Sequence, residues 1–252
     1  MTGSTERILN YPVDVRGLAS CVADVMNWIE SGDKARWLAC INPHGYAVAL
    51  HDHSYSDALH AADWLVPDGA GIVLASRFLG GQIRHRVTGS DIFWSVQEEL
   101  DRKGNSKVFF LGSTERTLMK IRDRMAADFP RVRVVGTYSP PFKATYTPSE
   151  VDDMISAINS TAPDVLWVGM TAPKQEKWIH ANHARLNVRF VAAVGAVFDF
   201  YTGQVKRSHP VFQRLGLEWL PRLLQEPRRL WRRMFISAPV FAWHVLQERL
   251  TR

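Results

Sequence analysis

Two cysteines, Cys21 and Cys40, in 252 residues supply neither a disulfide framework nor a metal-ligand set, and that usage suits a reducing compartment. No stretch reaches 18 uninterrupted apolar residues, so no membrane-spanning helix is expected. The leader MTGSTERILNYPVDV has no apolar core of signal-peptide length. No two aspartates lie two positions apart, which removes the D-x-D pair as a metal holder. The histidines do not replace it. His51 and His53 would point to different sides of a helix, and His180 and His183 fall on a polar helical face, whereas zinc needs converging ligands. No metal site is therefore expected. Gly69-Ala70-Gly71 follows an apolar run, but the third position of a G-x-G-x-x-G fingerprint is Leu74, which argues against hydride transfer. A G-x-x-x-x-G-K-[ST] phosphate loop is missing too, and no cofactor is expected.

The chain is otherwise of ordinary globular composition, 46% hydrophobic and 22% charged, and long enough to bury a full core. Its net charge of +6 is concentrated. Residues 206–233 hold Lys206, Arg207, Arg214, Arg222, Arg228, Arg229, Arg232 and Arg233 against Glu218 and Glu226, a surplus equal to the whole net charge. Such a segment implies an anionic partner: phosphate, lipid headgroup or nucleic acid.

Along the chain, a unit of strand, glycine-containing turn and helix recurs about five times. An N-terminal lead carries one helix, Leu18–Ser31. Strands are expected at Arg36–Ile41, Trp64–Val66, Lys107–Leu111, Val132–Val135, Asp164–Val168 and Arg189–Val194. Between them lie helices at Tyr46–Ala61, Gly69–Leu79, from a Ser90 or Asp91 cap to Arg102, onward to Phe129, at Pro148–Ser160, and from Pro173 to about Arg185. The pattern predicts an α/β, Rossmann-like, mainly parallel sheet flanked by helices. Composition changes only after Tyr201, giving an α/β domain at 1–201 and a basic amphipathic appendage at 202–252.

Ala62–Gly71 (ADWLVPDGAG) places one carboxylate, Asp68, at the carboxyl end of a buried strand, where open α/β sheets bind ligands. By itself such an aspartate reads equally as a turn former or a helix cap. Gly169–Trp178 (GMTAPKQEKW) is a strand-end loop followed by a proline-started helix, suited either to an anion or to an ordinary helix start. The loop Thr137–Thr147, with Tyr138, Pro140, Pro141 and Phe142, has the length of a binding loop. In the tail, Leu217, Leu220 and Leu224 make one apolar face, and Trp219, Trp231, Phe235 and Trp243 add aromatic anchors. That combination fits a helix lying on a membrane surface, or one packed on the domain with a solvated basic side.

Together these residues resemble the WecG/TagA/CpsF bacterial glycosyltransferases from about Ile41 to Arg233. The motifs are Asn42, Pro67-Asp68-Gly69, Arg86 with Gly89 and Asp91, Pro173-Lys174-Gln175-Glu176, and Val194-Gly195-Ala196-Val197-Phe198-Asp199-Phe200. Gly216-Leu217-Glu218-Trp219, Arg222 and Glu226-Pro227 complete the set. The resemblance implies an inverting enzyme at the cytoplasmic face of the membrane. It would move a sugar from a nucleotide donor, usually a UDP-sugar, to a sugar on polyprenyl pyrophosphate. Asp68 matches the proposed general base, with Asn42 and Arg86 in the same pocket and Gln175 on its rim. Arg222, Arg229 and Arg232 match arginines that close over the diphosphate. Gly112, Tyr138, Gly169, Gly195 and Asp199 are assigned to the donor side. Cys40 departs from the family, which commonly has threonine there.

The chemistry is coherent: a base takes the acceptor proton, and arginines with strand-end amides hold the leaving diphosphate without a metal. An anionic membrane surface is then a third partner. The rival, a basic nucleic-acid-binding α/β protein, accounts for the charge but leaves Asp68, Asn42 and the strand-end loops without work. No nucleic-acid partner is expected. The sequence neither requires nor excludes a homo-oligomer.

Overall fold

The computed structural model describes residues 4–32, 34–204 and 231–251. Its centre is a six-stranded sheet in which every pairing is parallel: β3 (Arg36–Ile41), β4 (Trp64–Pro67), β5 (Lys107–Gly112), β6 (Arg133–Tyr138), β7 (Val165–Gly169) and β8 (Phe190–Ala193), in the order β4-β3-β8-β7-β5-β6. Parallel strands are covered on both faces and so read as unbroken apolar runs. Here Val108-Phe109-Phe110-Leu111 and Val165-Leu166-Trp167-Val168 are buried throughout. Alternate side chains enter two separate cores. Trp37, Phe109, Leu166 and Val191 belong to one, and Leu38, Phe110, Trp167 and Phe190 to the other. The first core is covered by α2 (Pro43–Ala49), α3 (His53–Ala61), α4 (Ala70–Leu79), α7 (Pro148–Asn159) and α8 (Lys174–Asn182). The second is covered by α1 (Leu18–Ser31), α5 (Gly89–Lys103), α6 (Glu115–Asp128) and α9 (Val197–Tyr201).

The Rossmann-like expectation holds, and several boundaries move for identifiable reasons. The N-terminal lead contains an antiparallel hairpin, β1 (Thr5–Ile8) and β2 (Tyr11–Asp14), turned by Leu9 and Asn10, both at positive φ. The helix expected over 46–61 is two helices. Asn42 caps α2, and the Asp52 carboxylate accepts from the Tyr55 amide at 3.1 Å to start α3, so His51 sits between them. The cap of α5 is Thr88 rather than Ser90 or Asp91; the Asp91 carboxylate accepts from the Thr88 amide and closes a capping box. Strand β6 does not stop at Gly136. It runs through to Tyr138, because Gly136 leaves room for the Phe109 ring of the neighbouring strand. Helix α8 ends at Asn182 and a single 3-10 turn, His183–Arg185, finishes the segment.

At the C-terminus, a π-helical turn at Arg233–Ser237 leads into α10 (Ala238–Thr251). Helix α10 packs against α2 and α4 through buried Phe241 and Val245. Tyr46 Oη lies 2.6 Å from His244 Nδ1, and Leu9 donates its amide to the Glu248 carboxylate at 3.2 Å.

Gly112 closes β5 at φ +117°, and a Cβ there would lie 2.5 Å from the Gly169 carbonyl oxygen, a backbone atom that cannot swing aside. Gly112→Ala should therefore cost about 2–3 kcal/mol of stability through strain and overpacking. Urea denaturation measures it, and a loss under about 0.5 kcal/mol would show that β5 and β7 can part at this end.

Candidate active site

All six strands end at one edge of the sheet, and a cleft of about 840 Å³ runs over their carboxyl ends. Its wall is made by the segment following each strand: Asn42 after β3, Asp68 after β4, Ser113–Glu115 after β5, Ser139–Phe142 after β6, Met170–Glu176 after β7 and Val194–Val197 after β8. Helices α5, α6 and α8 begin at this edge, so the positive ends of their dipoles lie at the cleft and favour an anion.

Asn42 is the joint of the site. Its side-chain oxygen accepts from the Gly45 amide at 2.9 Å and caps α2, which fixes the orientation of the amide group. The nitrogen thus faces Asp68 and donates to its Oδ2 at 3.2 Å. The N-cap residue of α4 is Gly69, at φ 85°, so Asp68 stands one position before the cap. Both glycines of Asp68-Gly69-Ala70-Gly71 have a cause. Gly69 takes a left-handed turn, and a Cβ on Gly71 would come within 2.4 Å of Pro43 Cγ. The two loops carrying Asn42 and Asp68 are packed at their closest approach.

A second polar chain lies beside the first. The Gly195 amide donates to Gln175 Oε1 at 3.0 Å, and Gln175 Nε2 donates to Glu176 Oε1 at 2.8 Å. Glu176 is buried, and burial pushes its carboxyl up to about 7, the hydrogen bond from Gln175 opposing part of that rise. Burial, reinforced by the like charge of Asp68 and Glu176, also pushes the Cys40 thiol well up, so Cys40 meets the cleft as a thiol rather than a thiolate.

Of the residues expected at the site, Asn42, Asp68, Gly169, Gln175, Gly195 and Asp199 all line this one cleft. Gly112 and Tyr138 stand just behind the wall. Gly112 is held by the approach of β7, and half-buried Tyr138 packs on the core, while the residues that follow each of them line the cleft. Arg86 is half-buried outside the wall, next to Val87, whose amide donates to the Pro67 carbonyl at 2.8 Å. Arg232 is exposed and outside the wall, and its neighbour Arg233 lines the cleft instead. Arg222, Arg229 and the motif residues from Gly216 to Pro227 lie outside the described residues. Tyr55 and Arg233 are cleft residues that the sequence did not single out for the site, and Glu176, which its motif put within reach of the crevice, lines the cleft as a buried residue. For Tyr55 the available signal was the Asp52 cap, which resets the helical register. For Glu176 it was position in the first turn after a strand-end loop. Among the described residues no group of three His, Cys, Asp or Glu could hold a metal.

A profile of the Glycosyl transferase WecG/TagA/CpsF family matches residues 6–252. The chain belongs to this family. It is a glycosyltransferase, and the strand-end cleft is its candidate active site. A relative from Bacillus spizizenii, an N-acetylglucosaminyldiphosphoundecaprenol N-acetyl-beta-D-mannosaminyltransferase, is 32% identical over 91% of this chain and 86% of its own length. The protein of the same name from Bacillus subtilis is 29% identical over 97% of this chain and 92% of its own. One from Staphylococcus aureus is 27% identical over 73% and 69%.

Glu176 makes stability depend on pH. Folded, it keeps its proton up to about pH 7, whereas the unfolded chain releases it near 4.5, so ionising it costs stability as pH rises between those values. Glu176→Gln removes that cost and keeps the oxygen that accepts from Gln175. The stability of the variant relative to wild type should rise by about 2–3 kcal/mol from pH 5 to pH 8. Parallel denaturation curves at the two pH values test this, and a constant difference would mean that Glu176 titrates normally.

Proposed function

We propose that the glycosyltransferase moves a sugar, with inversion, from a nucleotide donor to a sugar carried on polyprenyl pyrophosphate. The observation that carries this reading is the Asp68–Asn42 pair, 3.2 Å apart, held at the ends of adjacent strands β3 and β4 inside the cleft. In the step, Asp68 takes the proton from the acceptor hydroxyl as its oxygen attacks the anomeric carbon, and the bond from that carbon to the diphosphate oxygen breaks on the opposite face. The electron pair leaves with the nucleoside diphosphate. Asn42 donates to Oδ2 and so holds the carboxylate in orientation for the transfer. The growing charge on the diphosphate is met by the amide ends of α5, α6 and α8 and by Arg233, with Arg222 and Arg229 added from the tail. No metal is assigned a part.

The relatives' names favour an N-acetylmannosamine donor, taken here as the UDP-sugar, and an undecaprenyl-diphosphate N-acetylglucosamine acceptor. Such an acceptor stays in the bilayer. No helix among the described residues is long and apolar enough to cross a membrane. Instead Trp231, Phe235, Trp243, Leu246 and Leu250 are exposed at helical spacing along the C-terminal turn and α10, a stripe suited to lying in an anionic bilayer surface at the cytoplasmic face.

Asp68→Asn should fold and bind nucleotide as wild type does while losing about 10²–10⁴-fold in turnover with UDP-N-acetylmannosamine and a short polyprenyl-pyrophosphate N-acetylglucosamine. Near-normal turnover in the folded variant would remove Asp68 from the role of base. Excess chelator should leave most wild-type activity in the same assay, and loss restored by magnesium or manganese would count against diphosphate binding by arginines and amides alone.

A further inference from the structure

The cleft contains a buried acid that the transfer step leaves unused. Glu176 is 2% exposed yet lines the cleft, and its neighbour Gln175 holds it in one orientation. The Gly195 amide can only donate, so Gln175 must turn its oxygen there and its nitrogen toward Glu176 Oε1. Glu176 Oε2 is then left buried, with no hydrogen-bond partner among the described residues. Such an atom costs free energy comparable to a lost hydrogen bond unless a ligand supplies the partner.

The chemistry of that partner is restricted. With a carboxyl pushed by burial to about 7, Oε2 is an acceptor in one protonation state and a donor in the other, both accessible near neutrality. A hydroxyl pairs with either state. An amide N–H pairs only with the carboxylate and a carbonyl only with the acid, while a phosphate oxygen is repelled by the carboxylate. Position narrows the choice further. Gln175 bonds Gly195 at the end of β8, the neighbour of β3, and α8 packs against α3, which puts Glu176 on the Asn42 and Asp68 side of the cleft rather than toward β6.

We propose that Glu176 Oε2 hydrogen-bonds one hydroxyl of the sugar being transferred and so selects donors that carry that hydroxyl, with Gln175 as its positioning residue. The proposal rests on the sugar-transfer reading above.

The test compares wild type, Glu176→Ala and Glu176→Gln on UDP-N-acetylmannosamine analogues that each lack one sugar hydroxyl, and on acceptors deoxygenated in the same way. At one donor position, removing the hydroxyl should cost wild type roughly 10–100-fold in kcat/KM, and the same removal should cost Glu176→Ala less than about 3-fold. Glu176→Gln keeps the bond from Gln175 but gives the hydroxyl a neutral donor in place of the charged acceptor, so with all assays at pH 8, where the wild-type carboxylate is ionised, its penalty at that position should fall at least about 3-fold below that of wild type. This variant carries the test if Glu176→Ala does not fold. Equal penalties in wild type and Glu176→Gln at every donor position overturn the proposal, as does coupling seen only with deoxygenated acceptors. A wild-type protein that transfers from no nucleotide sugar overturns the transfer reading and this proposal together, whereas wild-type transfer with unaltered penalties overturns this proposal alone.

Discussion

The constraint on which everything else depends is that six strands run in one direction. A parallel sheet cannot turn back within a hairpin, so each strand is followed by a crossover that must start at the same edge. Six loops and the beginnings of several helices are thereby gathered over one line of strand ends. Burial on both faces holds the strands, with Trp37, Phe109 and Leu166 on one side and Leu38, Phe110 and Trp167 on the other. The cleft is what the edge of such a sheet leaves open. Its polar lining follows from physics as much as from chemistry, because loops that cross a sheet edge carry backbone groups the ladder no longer satisfies.

Within that edge, backbone donors orient side chains before any ligand arrives. Gly45 fixes Asn42, and Asn42 faces Asp68. Gly195 fixes Gln175, and Gln175 faces Glu176. In both chains a group that can only donate sets the amide, and the amide presents its nitrogen to a carboxylate. The environments of the two carboxylates then differ. Asp68 follows the strand end directly and is half-buried, whereas Glu176 is enclosed in the first turn of α8 and gains proton affinity from burial. Two acids of one cleft, placed in different surroundings, are thus suited to different work.

Much of this was legible in the sequence because the signals were local. Strand β3 and helix α1 have the bounds their apolar patterns give, and Pro67-Asp68-Gly69 marks the turn that carries the candidate base. What escaped depended on contacts between distant segments. The hairpin at 5–14 has strands of four residues, too short for alternation to register. Gly136 looks like a strand end until the Phe109 ring explains why a glycine is needed inside β6. Glu176 stands in a quoted motif, yet only the fold reveals that it is buried and that one of its oxygens has no hydrogen-bond partner among the described residues. Arg232 and Arg233 are one residue apart, and which of them meets the cleft is set by how α10 docks on α2 and α4.

That docking links the ends of the molecule. Helix α10 is held by buried Phe241 and Val245, by the edge contact of Phe241 with the Tyr46 ring at 5.4 Å between centroids, and by the contact of Tyr46 with His244. Tyr46 belongs to α2, the helix that Asn42 caps, so α10 rests on the element whose first residue orients Asp68. The turn before α10 brings Arg233 to the cleft, and His44 Nδ1 lies 2.9 Å from Ser237 Oγ at its end. The same segment turns Trp231, Phe235 and Trp243 outward. A helical segment cannot rotate its apolar stripe toward a bilayer without also moving the arginine on its other side. On the proposed function, membrane contact and the electrostatics of the leaving diphosphate are therefore mechanically joined through α2, and a change that loosens α10 should disturb both.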